Sequence, residues 1–281
     1  MSEYGDQSMR QKPEYDKNSE KRRNVAARVS LASVQIVTLI ATLALGRIAD
    51  GQSIDTDLNT GMEQAIAHLN EARTQFKKVR DYECLLIKRE NVNGTLLPKS
   101  VMKMKARTKP FSIYLRAESP DDEKGLEVSY VEGRNKGMMR VHPAGILGIL
   151  SFWSVDPYDA RAFKKNRHCI KEAGLGNLLE STARYWEMER RLNKTIVRIT
   201  DEKVAGITCT RIETIHPDRK AGTFYGYRCV LWLDKSTHLP VGADTYDWPR
   251  PGGPKGGDLL ESYRYLNVRC NVGLGDDAFP Q

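Results

Sequence analysis

The sequence predicts an α+β domain: a curved antiparallel half-barrel sheet of about ten strands, with an N-terminal helix and a helical insertion packed on the concave face. Three observations predict it. A helix-period segment at residues 56–80 gives way to runs in which apolar and polar residues alternate with period two. The alternation stops between Pro143 and about Arg191 and then resumes. The connections between alternating runs are short, which favours a meander in which successive strands are neighbours. A sheet of about ten strands with one apolar face curls, and the helices are at hand to cover its hollow side.

Residues 1–28 are polar, aperiodic and basic, contain Pro13, and read as a disordered cytoplasmic leader. Residues 29–46 carry no formal charge and directly follow the cations Lys21, Arg22, Arg23 and Arg28. A basic flank before an apolar core is the pattern of an export signal or a single N-terminal anchor. Eighteen helical residues reach about 27 Å against a hydrocarbon core of about 30 Å, so a cleaved signal and a retained membrane anchor both stay open. Ala44-Leu45-Gly46 supplies small residues for cleavage, and no cysteine follows the apolar run to carry a lipid. The segment predicts that residues 50–281 form a single exported domain in the periplasm or cell envelope, with membrane contact through the N-terminal segment.

From residue 56 to 80, Met62, Ile66, Leu69, Phe76 and Val79 recur at helical spacing, while Glu63, Asn70, Glu71 and Lys77 fill the other side. Strands follow near 82–92 and 95–107, separated by the turn signal Asn93-Gly94. Val101, Met102, Met104 and Ala106 alternate with Lys103, Lys105 and Arg107, and Phe111, Ile113 and Leu115 alternate with Ser112, Tyr114 and Arg116. Each run has one face for the core and one for water, and the cationic face reads as the outer one. A further hairpin is expected near 126–142, turning at residues 133–137. The middle stretch is different: residues 145–153 are strongly apolar and 178–192 have helical spacing, which predicts an insertion of two or three short helices. Strands then resume near 195–204, 206–215, 223–234, 239–247 and 259–269, and residues 249–257 form a Gly/Pro-rich loop.

A family resemblance rests on specific residues. Tyr82-x-Cys84, Glu90, Asn93-Gly94, Leu97-Pro98 and Lys109-Pro110-Phe111-Ser112-Ile113-Tyr114 come first. Tyr130-Val131-Glu132-Gly133, Val141-His142-Pro143, Gly206-x-x-Cys209, His216-Pro217, Tyr246-Asp247-Trp248-Pro249 and Asn271-Val272-Gly273-Leu274 follow in order. Over roughly residues 76–279 the chain resembles the bacterial domain of unknown function 1571, common in planctomycete exported proteins. That family is similar in organisation to LolA-type periplasmic lipoprotein carriers. The resemblance implies a curved sheet and inserted helices enclosing an acyl-binding cavity, with a lipid or acylated protein as partner.

The chemistry-bearing residues exclude more than they assign. Formal net charge is +8, of which +5 falls outside the first 47 residues. No basic-aromatic patch marks a nucleic-acid binder, so none is expected as a partner. The five cysteines, at 84, 169, 209, 229 and 270, form no CxxC pair, and neither a metal site nor a cofactor is expected. Cys209 and Cys229 lie in adjacent expected strands; if Ile215 opposes Thr223 they face each other. They read either as a candidate disulfide or as two small buried side chains. His142-Pro143 and His216-Pro217 read as strand-end turns, because spacing supplies neither with a carboxylate. No serine sits in a nucleophile elbow, and Gly174-Leu175-Gly176 lacks a third glycine, so no enzyme is expected. Asp121-Asp122-Glu123 reads as a solvated loop. What remains is the apolar concave face. Phe111, Ile113, Leu115, Val128 and Tyr130 would line it, with Leu147, Phe152 and Trp153 as a lid or as a permanent plug. The expected function is a non-catalytic binding module for a lipid, lipoprotein or other hydrophobic ligand. The alternative is a structural or regulatory envelope protein with a sealed core, acting through protein-protein contacts.

Overall fold

The computed structural model describes residues 53–145, 152–219 and 224–281. The expected leader and apolar segment, residues 1–46, lie outside them. A helix, α1 (Ser53–Phe76), leads into β1 (Asp81–Val92), β2 (Thr95–Leu96), β3 (Ser100–Arg107), β4 (Ser112–Ser119), β5 (Glu127–Val131), β6 (Met139–His142) and β7 (Trp153–Val155). After the helix α2 (Leu175–Leu192) come β8 (Ile196–Val204), β9 (Ile207–Ile215), β10 (Arg228–Asp234), β11 (Pro240–Tyr246) and β12 (Leu259–Cys270). All pairings are antiparallel. The sheet is open and curved and has 12 strands. Its order is β7-β6-β5-β4-β3-β1-β12-β11-β10-β9-β8, with β2 paired to β1.

Two meanders therefore meet at one seam. β1 through β7 run outward in one direction, β12 back through β8 in the other, and β1 pairs with β12, Tyr82 opposite Cys270. The turns follow from local chemistry. Asn93 (φ 52°) and Gly94 (φ 84°) both sit in the left-handed region that a two-residue hairpin turn requires, as the Asn-Gly signal predicts.

The helices cover the concave face, and period two decides which side chains meet them. Tyr82, Cys84 and Leu86 of β1 stand opposite Ala106, Met104 and Met102 of β3 on that face. On the other meander, Met62, Ala65, Leu69 and Ala72 of α1 pack with Leu179 and Trp186 of α2 against Ile212, Leu231 and Leu233. Each large side chain so buried contributes on the order of 1.5–3 kcal/mol. α2 begins at Gly174, whose φ of 98° suits glycine; a Cβ there would stand 2.7 Å from the Tyr82 hydroxyl. It ends at Asn193, left-handed at φ 48°, whose N–H returns to the Glu189 carbonyl.

The convex face is polar, as the alternation requires. Lys103 pairs with Glu118 at 3.1 Å, Lys105 lies over the Tyr114 ring, and Arg107 pairs with Asp276 at 2.9 Å. The final residues pack on this face, with Phe279 (1% exposed) against Val131 and Tyr114.

Three expectations are corrected. The stretch 95–107 is two strands, not one. The insertion contains a strand, β7, where helix was expected, because Trp153 and Val155 pair with Val141 and Met139 of β6. The Cys209–Cys229 disulfide is absent: both thiols are free. The register between β9 and β10 is set by Ile215 opposite Arg228, five residues beyond Thr223, because the intervening loop is longer than expected. Cys209 faces Asp234 and Cys229 faces Thr214. An odd shift also turns the two cysteines to opposite faces.

Candidate functional site: the concave face and its polar clamp

The register carries one apolar row across the concave face. Cys84 stands opposite Met104, Met104 opposite Leu115, Leu115 opposite Val128, Val128 opposite Val141, and Val141 opposite Trp153. Directly opposed residues share a face, so the six form a continuous file from the seam to the β7 rim. Burial falls along it. Met104 is 1% exposed, Leu115, Val128 and Val141 are half-buried, and Trp153 is 46% exposed.

The expected lining residues divide accordingly. Phe111, Ile113 and Leu115 share the face, and Tyr130 and Val128 stand opposite the last two. Ile113 (0% exposed) and Tyr130 (5%) are core residues, covered by the insertion. Phe111 packs its ring 6.2 Å from that of Tyr130. Phe111 and Ile113 also line a cavity of about 110 Å³ beside Tyr82, Phe76, Gly174 and Gly176, between the sheet and the facing ends of the two helices. That space has room for several waters. The lid is corrected in part. Trp153 belongs to the sheet itself, and Phe152 packs on the ring of His142, 5.1 Å between centroids, on the side opposite Val141 and Trp153. Consecutive residues of an extended chain point to opposite faces, so the two aromatics do not act together. Leu147 lies outside the described residues.

A second feature escaped the sequence reading: the insertion is fastened to the concave face by buried charge. Glu261 of β12, 7% exposed, stands at the centre. Its Oε2 accepts hydrogen bonds from Arg167 Nε (3.1 Å), His168 Nε2 (2.8 Å) and the Tyr225 hydroxyl (3.0 Å). Nδ1 of His168 reaches Glu172 at 3.1 Å. Both ring nitrogens therefore face carboxylates, an arrangement that suits the doubly protonated ring. Burial opposes that charge, but the bonds to Glu172 and Glu261 outweigh it and hold His168 up at about 10. Burial likewise works against ionised Glu261, yet His168 and Arg167 hold its carboxyl below the ordinary value. Alongside, Glu90 (4% exposed) pairs with Lys88 at 2.7 Å and accepts from the Tyr263 hydroxyl. The acid run at 121–123 joins the clamp too: Lys165 reaches Glu123 at 2.8 Å and Asp122 at 3.3 Å.

His216 is not a bare strand-end turn either. It is fully buried, stacks on Phe224 at 4.3 Å, and its Nδ1 lies 2.6 Å from the Gly226 carbonyl, which fixes the proton there. Its Nε2 lies 3.1 Å from Oε2 of Glu189, itself 3% exposed. Neither of these two buried atoms completes a hydrogen bond. Among the described residues, no serine or cysteine is hydrogen-bonded to His168 or His216, and no three His, Cys, Asp or Glu side chains converge as a metal set. Also among the described residues, no helix is long and apolar enough to cross a membrane. The clamp was invisible in the sequence because its members lie on the insertion, β1, β12 and the β9–β10 loop. Only the chain reversal brings them together.

No curated protein matches this chain significantly. Among solved structures it is similar to lipoprotein LppX of Mycobacterium tuberculosis, at 12% identity over 76% of this chain and 98% of the other, TM-score 0.43. A LolA superfamily protein from Nitrosomonas europaea aligns at 12% identity over 77% and 97%, TM-score 0.33. A DUF1329 family protein from Desulfovibrio piger aligns at 17% identity over 80% and 98%, TM-score 0.36. The match that decides membership is to a family model, which spans residues 79–281, the greater part of the chain. The chain belongs to the DUF1571 family, proteins of unknown function.

Proposed function

We propose that this protein is an exported, non-catalytic envelope module that binds a hydrophobic ligand, a lipid or the acyl part of a lipoprotein, on the β5–β7 end of its concave face. The observation that carries the reading is the file from Met104 to Trp153. It is buried at the seam and progressively uncovered toward the rim, ending on a tryptophan 46% exposed. An apolar surface continuous with the core and open to solvent is the kind of feature that marks a binding site. Residues 29–46 supply the route out of the cytosol, and with it the envelope location and any membrane contact.

The second reading, a sealed core acting through protein contacts, is favoured by the fully buried Ile113, Leu175 and Leu179 between sheet and helices. A cavity of about 110 Å³ is well under the roughly 300–1,000 Å³ of ordinary ligand pockets. On the first reading the ligand lies along the open rim. Native mass spectrometry of the full chain, purified from its own host envelope, separates the two. A stoichiometric acyl ligand, lost on Trp153→Glu, supports the binding module. Repeated recovery of ligand-free protein that retains a protein partner supports the sealed core and removes the first reading.

A further inference from the structure

The cations of the insertion are mostly spent on carboxylates. Arg161 pairs with Asp159 at 2.7 Å, Lys165 with Glu123 at 2.8 Å, Arg167 with Glu261 at 3.1 Å, and His168 with both Glu261 and Glu172. Lys171 differs. It is exposed, and its Nζ lies 5.8 Å from the Tyr130 ring centre and 5.2 Å from that of Tyr158. Among the described residues no carboxylate pairs with it. The nearby acids are occupied: Asp156 accepts the backbone N–H of Tyr158 at 2.8 Å, and Glu172 faces His168. Burial and the neighbouring tyrosines act on its ammonium, with the net effect of raising its pKa, so the side chain is a cation at any physiological pH.

The position of this cation matters more than its charge. Tyr130, beneath it, is two residues along β5 from Val128, a member of the exposed file, and both face the same way. Alternate residues of a strand stand about 6.6 Å apart. From Leu115 to Trp153 the file crosses three strand spacings, about 14 Å in all. On its inner side the next file runs through buried Ile113, Tyr130 and Met139, and on its outer side it borders half-buried Leu126. A strip of this length suits a single hydrocarbon chain, and the unpaired ammonium stands beside its inner half.

We infer that the ligand of this face is a single-chain anionic lipid, a free fatty acid, whose tail lies along Leu115, Val128, Val141 and Trp153 and whose carboxylate pairs with Lys171 between Tyr130 and Tyr158. The inference rests on the hydrophobic-ligand reading above and adds the head group to it. Tyr158, 59% exposed, closes the head site on the solvent side.

Calorimetric titration of the full chain with dodecanoate and with neutral dodecyl maltoside, both below their micellar concentrations, tests it. The wild type is expected to prefer dodecanoate by about fivefold, the size of an exposed ion pair. Lys171→Gln erases that preference and leaves maltoside binding unchanged, and Lys171→Arg keeps it. Trp153→Ala weakens both ligands. Equal binding of both ligands to wild type, or a dodecanoate preference that survives Lys171→Gln, overturns the head-group assignment while the hydrophobic-ligand reading stands. Binding of neither ligand overturns both.

Discussion

Nε2 of His168 lies 2.8 Å from Oε2 of Glu261, which ties the insertion to a strand at the seam of the sheet. His168 is held up at about 10 from an ordinary 6.5, so its contribution to stability is complete below pH 6.5 and is lost as pH rises toward 10. Glu261 is lowered from 4.5, so its contribution is complete above pH 4.5 and is lost on acidification through its folded value. The clamp is therefore at full strength between about pH 4.5 and 6.5. Urea midpoints of wild type and His168→Gln should differ most at pH 6 and converge by pH 10; a gap that stays constant over this range would remove the proposed charge on His168.

Glu261→Ala should be among the most damaging single changes in the chain. It strands Arg167 and His168 without their shared partner and leaves the Tyr225 hydroxyl without its acceptor. Breaking a buried pair from one side costs about 3–5 kcal/mol. Limited proteolysis should also show earlier cutting within residues 156–174, since this carboxylate holds that stretch to β12.

The Tyr82 hydroxyl accepts the Leu175 N–H at 2.8 Å, satisfying a donor in the first turn of α2. Tyr82 is 2% exposed and borders the cavity of about 110 Å³. Tyr82→Phe keeps the ring and orphans that donor, for a loss of about 1–3 kcal/mol by chemical denaturation. An unchanged midpoint would mean that the helix start finds another acceptor.

Ile113 and Trp153 lie on the same face but should respond in opposite ways. Ile113→Ala empties a fully buried site and should cost about 2–5 kcal/mol. Trp153→Ala removes a ring already half in water and should cost less than about 1 kcal/mol while weakening ligand capture. If Trp153→Ala unfolds the protein, the rim is structural and not a binding surface.

Much of the fold was legible because the sheet obeys local rules. Alternation in 101–107 and 111–115 marked both the strands and the face each residue takes, and Asn93-Gly94 marked a turn of the expected type. Leu178–Leu192 carried enough helical spacing to place most of α2. What failed were features that depend on distant parts of the chain. β7 has three residues, too few for a period, and exists because Val141 offers it a partner. The position of Cys209 relative to Cys229 depends on the length of one loop, and an error of five residues reversed the face of one of them. Along the concave face, the sequence grouped Phe111, Ile113, Leu115, Val128 and Tyr130 by side as the strand pairing has them. It could not say which of them the insertion would cover, because cover is decided by Glu261, Glu90 and their cationic partners on separate elements.

The pairing of Tyr82 with Cys270 bears on how the chain reaches this state. Each meander can zip up from its own hairpins, where partners are close in sequence and little chain must be closed off. The seam is different: it brings together the first and last long strands and closes a loop containing nearly the whole sheet. Such distant encounters make for slow folding. Until this junction forms, β1 and β12 each present an unsatisfied backbone edge that strands of another chain can occupy. The molecule is thus most vulnerable to intermolecular mispairing during its own assembly, at the centre of the wall and not at its outer rims.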